Sequence, residues 1–228
     1  MKVLASDFDF TLYVEDKEIV KRNIAAISKF MKYGNIFCII TGRNYSNIKV
    51  LLNEYKIPYH YLICQDGVKI FDSTDYCFST EYLSREKIEK IIPVMKKYSF
   101  DYYLDDGYNE TTNMDDCVKV VGIINDREED AKKVLEELRD LGFYAYLSTY
   151  YINVIDSTVN KSVALEKVLV HADCYKDDLY VIGDSVNDLE MLSTFQGAIM
   201  KNHSTELDKL NKKTYDTLYE YIEELEKN

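Results

Sequence analysis

The sequence predicts an α/β fold in which a parallel sheet carries a smaller inserted α+β layer. Three observations predict it. Short apolar runs alternate with amphipathic segments in the first and last thirds of the chain. The middle third instead repeats helix-strand-strand twice, and two successive strands with no helix between them imply antiparallel pairing. Finally, polar residues follow the ends of several apolar runs, where an open parallel sheet places its ligand-binding crevice.

The elements follow in order. Residues 2 to 6 form a strand, about 17 to 33 a helix closed by Gly34, 36 to 40 a buried strand, about 44 to 54 a helix, and 60 to 64 a strand leading into a hairpin around Gly67. The inserted layer comprises a helix at about 84 to 98, strands near 100 to 104 and 117 to 124, a helix at about 127 to 140 stopped by Gly142, and paired strands at 143 to 148 and 151 to 155. The parallel pattern resumes with a helix from about 161 to 171, a strand at 179 to 182, a helix at about 186 to 194, a strand at 197 to 200 and two terminal helices. The first strand should lie centrally, with the second and third on one side and the fourth and fifth on the other.

Composition narrows the function. The 28 Lys and Arg against 40 Asp and Glu give a net charge of -12, the wrong sign for a sequence-independent grip on nucleic acid. Any anion site must therefore be a local positive spot made by a metal, a lysine or helix N-termini. The five cysteines are widely spaced with no Cys-x-x-Cys pair, which disfavours zinc and disulfide scaffolds and fits a reducing cytoplasm. The N-terminal apolar run is interrupted by Asp7, and no apolar stretch approaches membrane-spanning length, so no membrane partner is expected. The 21 tyrosines, with no tryptophan, read mainly as fillers of half-exposed strand positions.

Asp7-Phe8-Asp9-Phe10-Thr11 directly follows the first strand and reads as a nucleophile and an acid/base. Gly183-Asp184-Ser185-Val186-Asn187-Asp188 follows another strand, and the four-residue spacing lets Asp184 and Asp188 point to one place beside a helix start. Four carboxylates converging in one crevice repel strongly unless compensated. A hard divalent cation with oxygen ligands, Mg2+, is the natural compensation. Thr41-Gly42-Arg43 offers a hydroxyl and free N-H groups suited to a phosphate oxygen. Lys161, after the N-cap Asn160, opposes the helix dipole and so points to an anionic partner elsewhere.

This ordered set, Asp7 to Thr11, Thr41 to Arg43, Lys161 and Gly183 to Met191, resembles the haloacid dehalogenase (HAD) superfamily, and more closely its Cof-like type IIB phosphatases. The resemblance spans nearly the whole chain. It implies a Rossmann-like core of residues 1–80 plus 157–228 and an inserted α+β cap of residues 81–156. By position, Asp7 matches the nucleophile that forms an aspartyl-phosphate, and Asp9 the general acid/base. Asp7, the Asp9 backbone carbonyl and Asp184 match the Mg2+ ligands, with Asp188 direct or through water. Phe8 (by its backbone), Thr41 and Gly42 match phosphate contacts, Lys161 and Asn187 hold the phosphoryl oxygens, and Arg43 is a candidate substrate contact.

The implied activity is Mg2+-dependent hydrolysis of small phosphomonoesters such as sugar phosphates, in the cytoplasm. A phosphohexomutase using the same chemistry and a non-catalytic phospho-aspartate module are the alternatives, separated by whether inorganic phosphate, an isomerised sugar phosphate or a stable phosphoprotein is produced. Three departures from the family pattern stand out: Phe10 for a usual Gly, Gln65-Asp66-Gly67 for Asn-Gly-small, and Asn202-His203 for Asn-Ala. The last two are expected to leave the four motifs untouched, with His203 a loop residue. The stretch Asp105 to Glu110 reads either as a leaving-group contact, its acidity favouring hydroxyl-rich or cationic groups, or as a solvated loop, and movement of the insertion is expected to gate access.

Overall fold

Val3-Leu4-Ala5-Ser6-Asp7 is buried along its whole length and forms the central strand of the larger of two sheets. The structure, a computed structural model, describes residues 1–148 and 150–227. Residue 149, within the expected insertion, and residue 228, the end of the expected core, lie outside the described residues. In chain order the elements are β1 (Val3–Asp7), α1 (Lys17–Lys32), β2 (Ile36–Ile40), α2 (Tyr45–Tyr55), β3 (Tyr61–Cys64), β4 (Lys69–Asp72) and β5 (Cys77–Thr80). There follow α3 (Arg85–Lys97), β6 (Tyr102–Asp105), β7 (Glu110–Thr111), β8 (Lys119–Ile123), α4 (Glu128–Asp140), β9 (Tyr144–Leu147) and β10 (Tyr151–Ile155). The chain closes with α5 (Lys161–His171), β11 (Leu179–Gly183), α6 (Leu189–Thr194), β12 (Gln196–Met200), β13 (Thr214–Tyr215) and α7 (Leu218–Lys227).

The larger sheet has the order β13-β12-β11-β1-β2-β3-β4-β5, parallel from β13 to β3 and antiparallel at β4 and β5. The first strand is central, as its sequence position predicts. Side chains alternate across it: Leu4, Phe37, Ile39 and Leu62 pack on the face shared with α1 and α7, while Val3, Ala5, Cys38 and Ile40 pack toward α5 and α6. Helices thus cover both faces, as a parallel sheet requires. The edge strands β5 and β13 were not foreseen, being short and without clear alternation. Of the two expected terminal helices, the first is a 3-10 segment, Thr205–Leu210, and only α7 is α-helical.

The second sheet, β7-β6-β8-β10-β9, is wholly antiparallel. Leu104, Val120, Ile152 and Val154 form one core with Ile88, Ile91, Val134 and Leu138 of α3 and α4. The alternate residues Tyr103, Asp105, Lys119, Val121 and Asn153 therefore face away from those helices, and they line the cleft beside β1.

Helix starts are set locally. The side chains of Asp16, Asn44, Ser84 and Asn160 accept backbone N-H groups at the starts of α1, α2, α3 and α5. Asn23 on α1 ties the site loop to the distal helix: its Nδ2 donates to the Leu12 carbonyl at 2.9 Å, and its Oδ1 accepts from Tyr219 N at 3.0 Å. Because Asn23 is fully buried, truncating it leaves both backbone groups without their partner. Asn23→Ala should lower unfolding free energy by about 2 kcal/mol in urea with an unchanged slope. A variant within experimental error of wild type would show that solvent or local repacking replaces both bonds.

Candidate active site

Asp7 ends β1, and the chain then turns back on itself: Leu12 N and Tyr13 N both donate to the Phe8 carbonyl, and Phe10 N to the Tyr13 carbonyl. The Phe8 ring is fully buried and stacked on Tyr13 at 5.4 Å, which leaves only its backbone for the site. Phe10 takes the left-handed conformation, φ 62°, that a glycine adopts at no steric cost, and its ring is 66% exposed at the rim of the cleft. The departure from Gly therefore leaves the turn in place and adds an exposed aromatic wall. Thr11, fully buried, donates to Asp184 at 2.7 Å and so joins the first motif to the last.

Lys161 is the centre of the site. Fully buried at the first position of α5, it donates to Asp7 and, at 2.6 Å, to Asp188, and lies 3.9 Å from Asp66. Burial opposes its charge, but the carboxylates of Asp188, Asp7 and Asp66 outweigh that and hold its pKa well above the usual lysine value. The Asp188 oxygens are both engaged: Oδ1 on Lys161, and Oδ2 on the backbone N-H groups of Asp184 and Ser185 at 3.0 Å each. Gly183 makes this possible, since a Cβ there would sit 2.4 Å from the Asp188 carboxyl carbon. Asp7, Asp184 and Asp188 offer oxygens within 4.8 Å of one another, all buried. A buried, all-carboxylate donor set with one ammonium among it fits a hard divalent cation. Burial, then the charge of Asp188, pushes the Asp184 carboxyl up to about 6, while burial is also the main influence raising Asp7.

Asp9 stands apart from that buried group. Its carboxylate is forked by Arg43, Nε at 2.9 Å and Nη2 at 2.7 Å, in a partly exposed pair. Thr41 is buried and its Oγ1 accepts from Arg43 N at 3.1 Å, which shapes the turn that exposes Gly42 to the cleft. Asn187 donates to Asp66 at 2.9 Å. Of the predicted residues, Asp7, Asp9, Gly42, Arg43, Asp184 and Asn187 line one cleft of about 780 Å³, while Phe8, Thr41, Lys161 and Asp188 are buried behind its wall.

One expectation needs correction. Asp66 does not stay clear of the motifs. It is buried at φ 59°, donates its N-H to the Thr41 carbonyl, accepts from Asn187, and accepts the hydroxyl of Tyr146 from β9. Its turn is pressed against α5, where a Cβ on Gly67 would lie 2.7 Å from the Asn160 carbonyl, so a change of residue type there reaches Lys161 directly. The acidity of Asp105 to Glu110 is largely consumed within the loop: Asp105 accepts from Gly107 N and Asn44, and Asp106 from Tyr108 N and Asn109 N. Of that stretch, only Asp105 lines the cleft. His203 is a loop residue as expected, bonded to the Met200 carbonyl and Asp208. Sequence reading missed Lys119, Tyr146 and Gln65 as cleft residues, although their strand and turn positions hold a period-two signal for the first two.

The haloacid dehalogenase-like hydrolase family model matches residues 4–115 and 98–220, and the chain belongs to that family of enzymes. An HMP-PP phosphatase of Yersinia pseudotuberculosis is 25% identical over 88% of this chain and 84% of its own. Among solved structures, a HAD/COF-like hydrolase of Plasmodium vivax superposes with a TM-score of 0.85 at 17% identity, covering 100% of this chain and 96% of its own. A HAD subclass IIB sugar phosphatase gives 0.78 at 16% identity, covering 100% and 98%. The Cof-like, type IIB arrangement of core and second sheet is thereby matched in fold. No helix among the described residues is long and apolar enough to cross a membrane.

Two outcomes follow from the geometry. Gly183→Ala should push Asp188 off Lys161 and destabilise the protein by about 1–3 kcal/mol in urea denaturation; no change would show that Asp188 is free to move. The raised Asp184 carboxyl binds its proton more tightly folded than unfolded, so its effect is to lower stability as pH rises from its unfolded value to about 6. A cation that needs the deprotonated group offsets this only above that window. Saturating Mg2+ should therefore raise the melting temperature more at pH 7.5 than at pH 5, and an equal shift at both would exclude Asp184 as its ligand.

Proposed function

We infer that the chain is a cytoplasmic, Mg2+-dependent phosphatase that hydrolyses small phosphomonoesters through an aspartyl-phosphate on Asp7. The observation that carries this reading is the buried contact of Lys161 with Asp7 at the carboxyl end of the central strand, with Asp184 and Asp188 beside it. A carboxylate fixed against an ammonium is positioned for attack on phosphorus, and the same ammonium offsets charge on the transferring phosphoryl oxygens. The HMP-PP phosphatase and sugar phosphatase names of the relatives support a small phosphorylated metabolite as substrate. Five free cysteines fit a reducing compartment.

In the first half-reaction an Asp7 oxygen bonds to phosphorus as the bond to the leaving oxygen breaks, and Asp9 gives that oxygen its proton. In the second, Asp9 takes a proton from water, whose oxygen displaces Asp7 from phosphorus and yields inorganic phosphate. Arg43 holds Asp9 as a carboxylate through its two-point fork, and one arm of that fork releases when Asp9 carries its proton. Lys161, Asn187 and the backbone N-H groups near Phe8 and Gly42 hold the non-bridging oxygens. Mg2+ would be held by Asp7, Asp184 and the Asp9 carbonyl, with Asp188 acting from behind because its own oxygens are engaged; when bound it supplies charge neutralisation for the phosphoryl group. Residues 81–156 act as a cap whose sheet closes the cleft over the leaving group.

Phosphate release from a panel of phosphomonoesters, with and without Mg2+, tests the reading. Asp7→Asn should lose at least about 10³-fold in kcat while keeping its circular dichroism and melting profile. Wild-type turnover in that variant, or an isomerised sugar phosphate in place of inorganic phosphate, would remove the phosphatase mechanism.

A further inference from the structure

Lys119 opens β8 on the cleft face of the second sheet and is 4% exposed. Its ammonium touches only neutral oxygens, the Gly42 carbonyl at 3.3 Å and the Tyr146 hydroxyl at 3.5 Å. Among the described residues it has no carboxylate within salt-bridge distance. Its cross-strand neighbour Asp105 is engaged elsewhere, with Gly107 N and Asn44. A buried cation without an ionic partner is costly, and it is retained where a ligand supplies the counter-charge. Burial accordingly lowers the Lys119 pKa, with Asp66 and Asp105 opposing only in part.

A second observation points to the same place. Gln65, 1% exposed at φ 50° and lining the same cleft, has no hydrogen-bond partner on either side-chain amide atom. A buried amide with both ends free is rare in a folded protein and marks a polar group waiting for a ligand atom. The Tyr146 ring lies under the Lys119 ammonium at 5.8 Å, and its hydroxyl proton goes to Asp66, so the donors left for an anion are the Lys119 cation and the Gln65 amide. Lys161, set among Asp7, Asp66 and Asp188, is committed to the transferring phosphoryl group, so a second anion needs another cation.

We propose that Lys119, with Gln65, forms a subsite for a second anionic group, a carboxylate or a phosphoryl, carried by the substrate next to its scissile phosphate. The inference rests on the phosphatase reading and deepens it by naming the substrate class. Adjacency follows from the Gly42 contact, since that peptide belongs to the turn that faces the scissile phosphate. The anion therefore sits on the carbon or phosphorus beside the ester oxygen, and an anion at the far end of a long leaving group does not reach it.

The test compares matched pairs: phosphoglycolate against 2-hydroxyethyl phosphate for a carboxylate, and methyl diphosphate against methyl phosphate for a phosphoryl. Wild type should favour the anionic member of at least one pair by about tenfold or more in kcat/KM, and the favoured pair identifies the anion. Lys119→Met should reduce that ratio by about tenfold, and Lys119→Arg should retain most of it. Equal kcat/KM within both pairs overturns the subsite, whether or not the variants fold, and so does an unchanged ratio in a folded Lys119→Met protein. Absence of phosphate release from all four esters, with release from other members of the phosphomonoester panel, overturns this inference alone, and absence from the whole panel overturns the phosphatase reading with it.

Discussion

The buried ammonium of Lys161 is the constraint on which the site depends. An isolated charge taken out of water costs far more than a folded domain can spare, so the fold must deliver carboxylates to it from several directions. Asp7 comes from the end of β1, Asp188 from the turn after β11 and Asp66 from the turn after β3. One ammonium does not balance those groups together with Asp184, and the excess negative charge is what a divalent cation answers. The strand order β11-β1-β2-β3 exists, in functional terms, to bring these three turns to one edge.

The second sheet solves a different problem. Its helices α3 and α4 cover one face with aliphatic side chains, so the other is free to carry tyrosines, Lys119, Asp105 and Asn153 over the cleft without weakening its own core. The Lys161 cluster and the cleft-facing strands of the second sheet therefore rest on separate hydrophobic cores. The cleft-facing side chains can change without disturbing Lys161, apart from the one residue, Tyr146, that reaches across to Asp66.

Much of this was legible in the sequence because strong patterns have strong physical causes. The buried strands read as continuous apolar runs, the N-caps sit where side-chain oxygens are needed, and Asp7, Asp184 and Lys161 each occupy a position that is unfavourable without a partner. Asp66 was not legible, because nothing in Gln65-Asp66-Gly67 reveals that the turn folds under α5; that depends on the approach of Gly67 to Asn160 in space. The loop from Asp105 to Glu110 stayed open for the opposite reason: its charge is visible in sequence, but its hydrogen bonds back to its own backbone are not. The tyrosines were equally ambiguous. Alternation places Tyr103 and Tyr146 on one face of their strands without saying what that face meets.

Asp66 shows how a single carboxylate joins the two halves. It accepts from Asn187 of the last motif with one oxygen and from the Tyr146 hydroxyl with the other. An ionised carboxylate has acceptors on both sides, so both donors are satisfied at once. An amide at the same place would present N-H to one of them, and only a reoriented tyrosine hydroxyl could then accept it. The carboxylate also adds to the field that keeps Lys161 charged. Placing Asp rather than Asn in this turn thus ties the position of the second sheet, through Tyr146, to the same group that helps keep Lys161 charged. Withdrawal of that sheet would leave Asp66 short of one donor, and its return restores the full set.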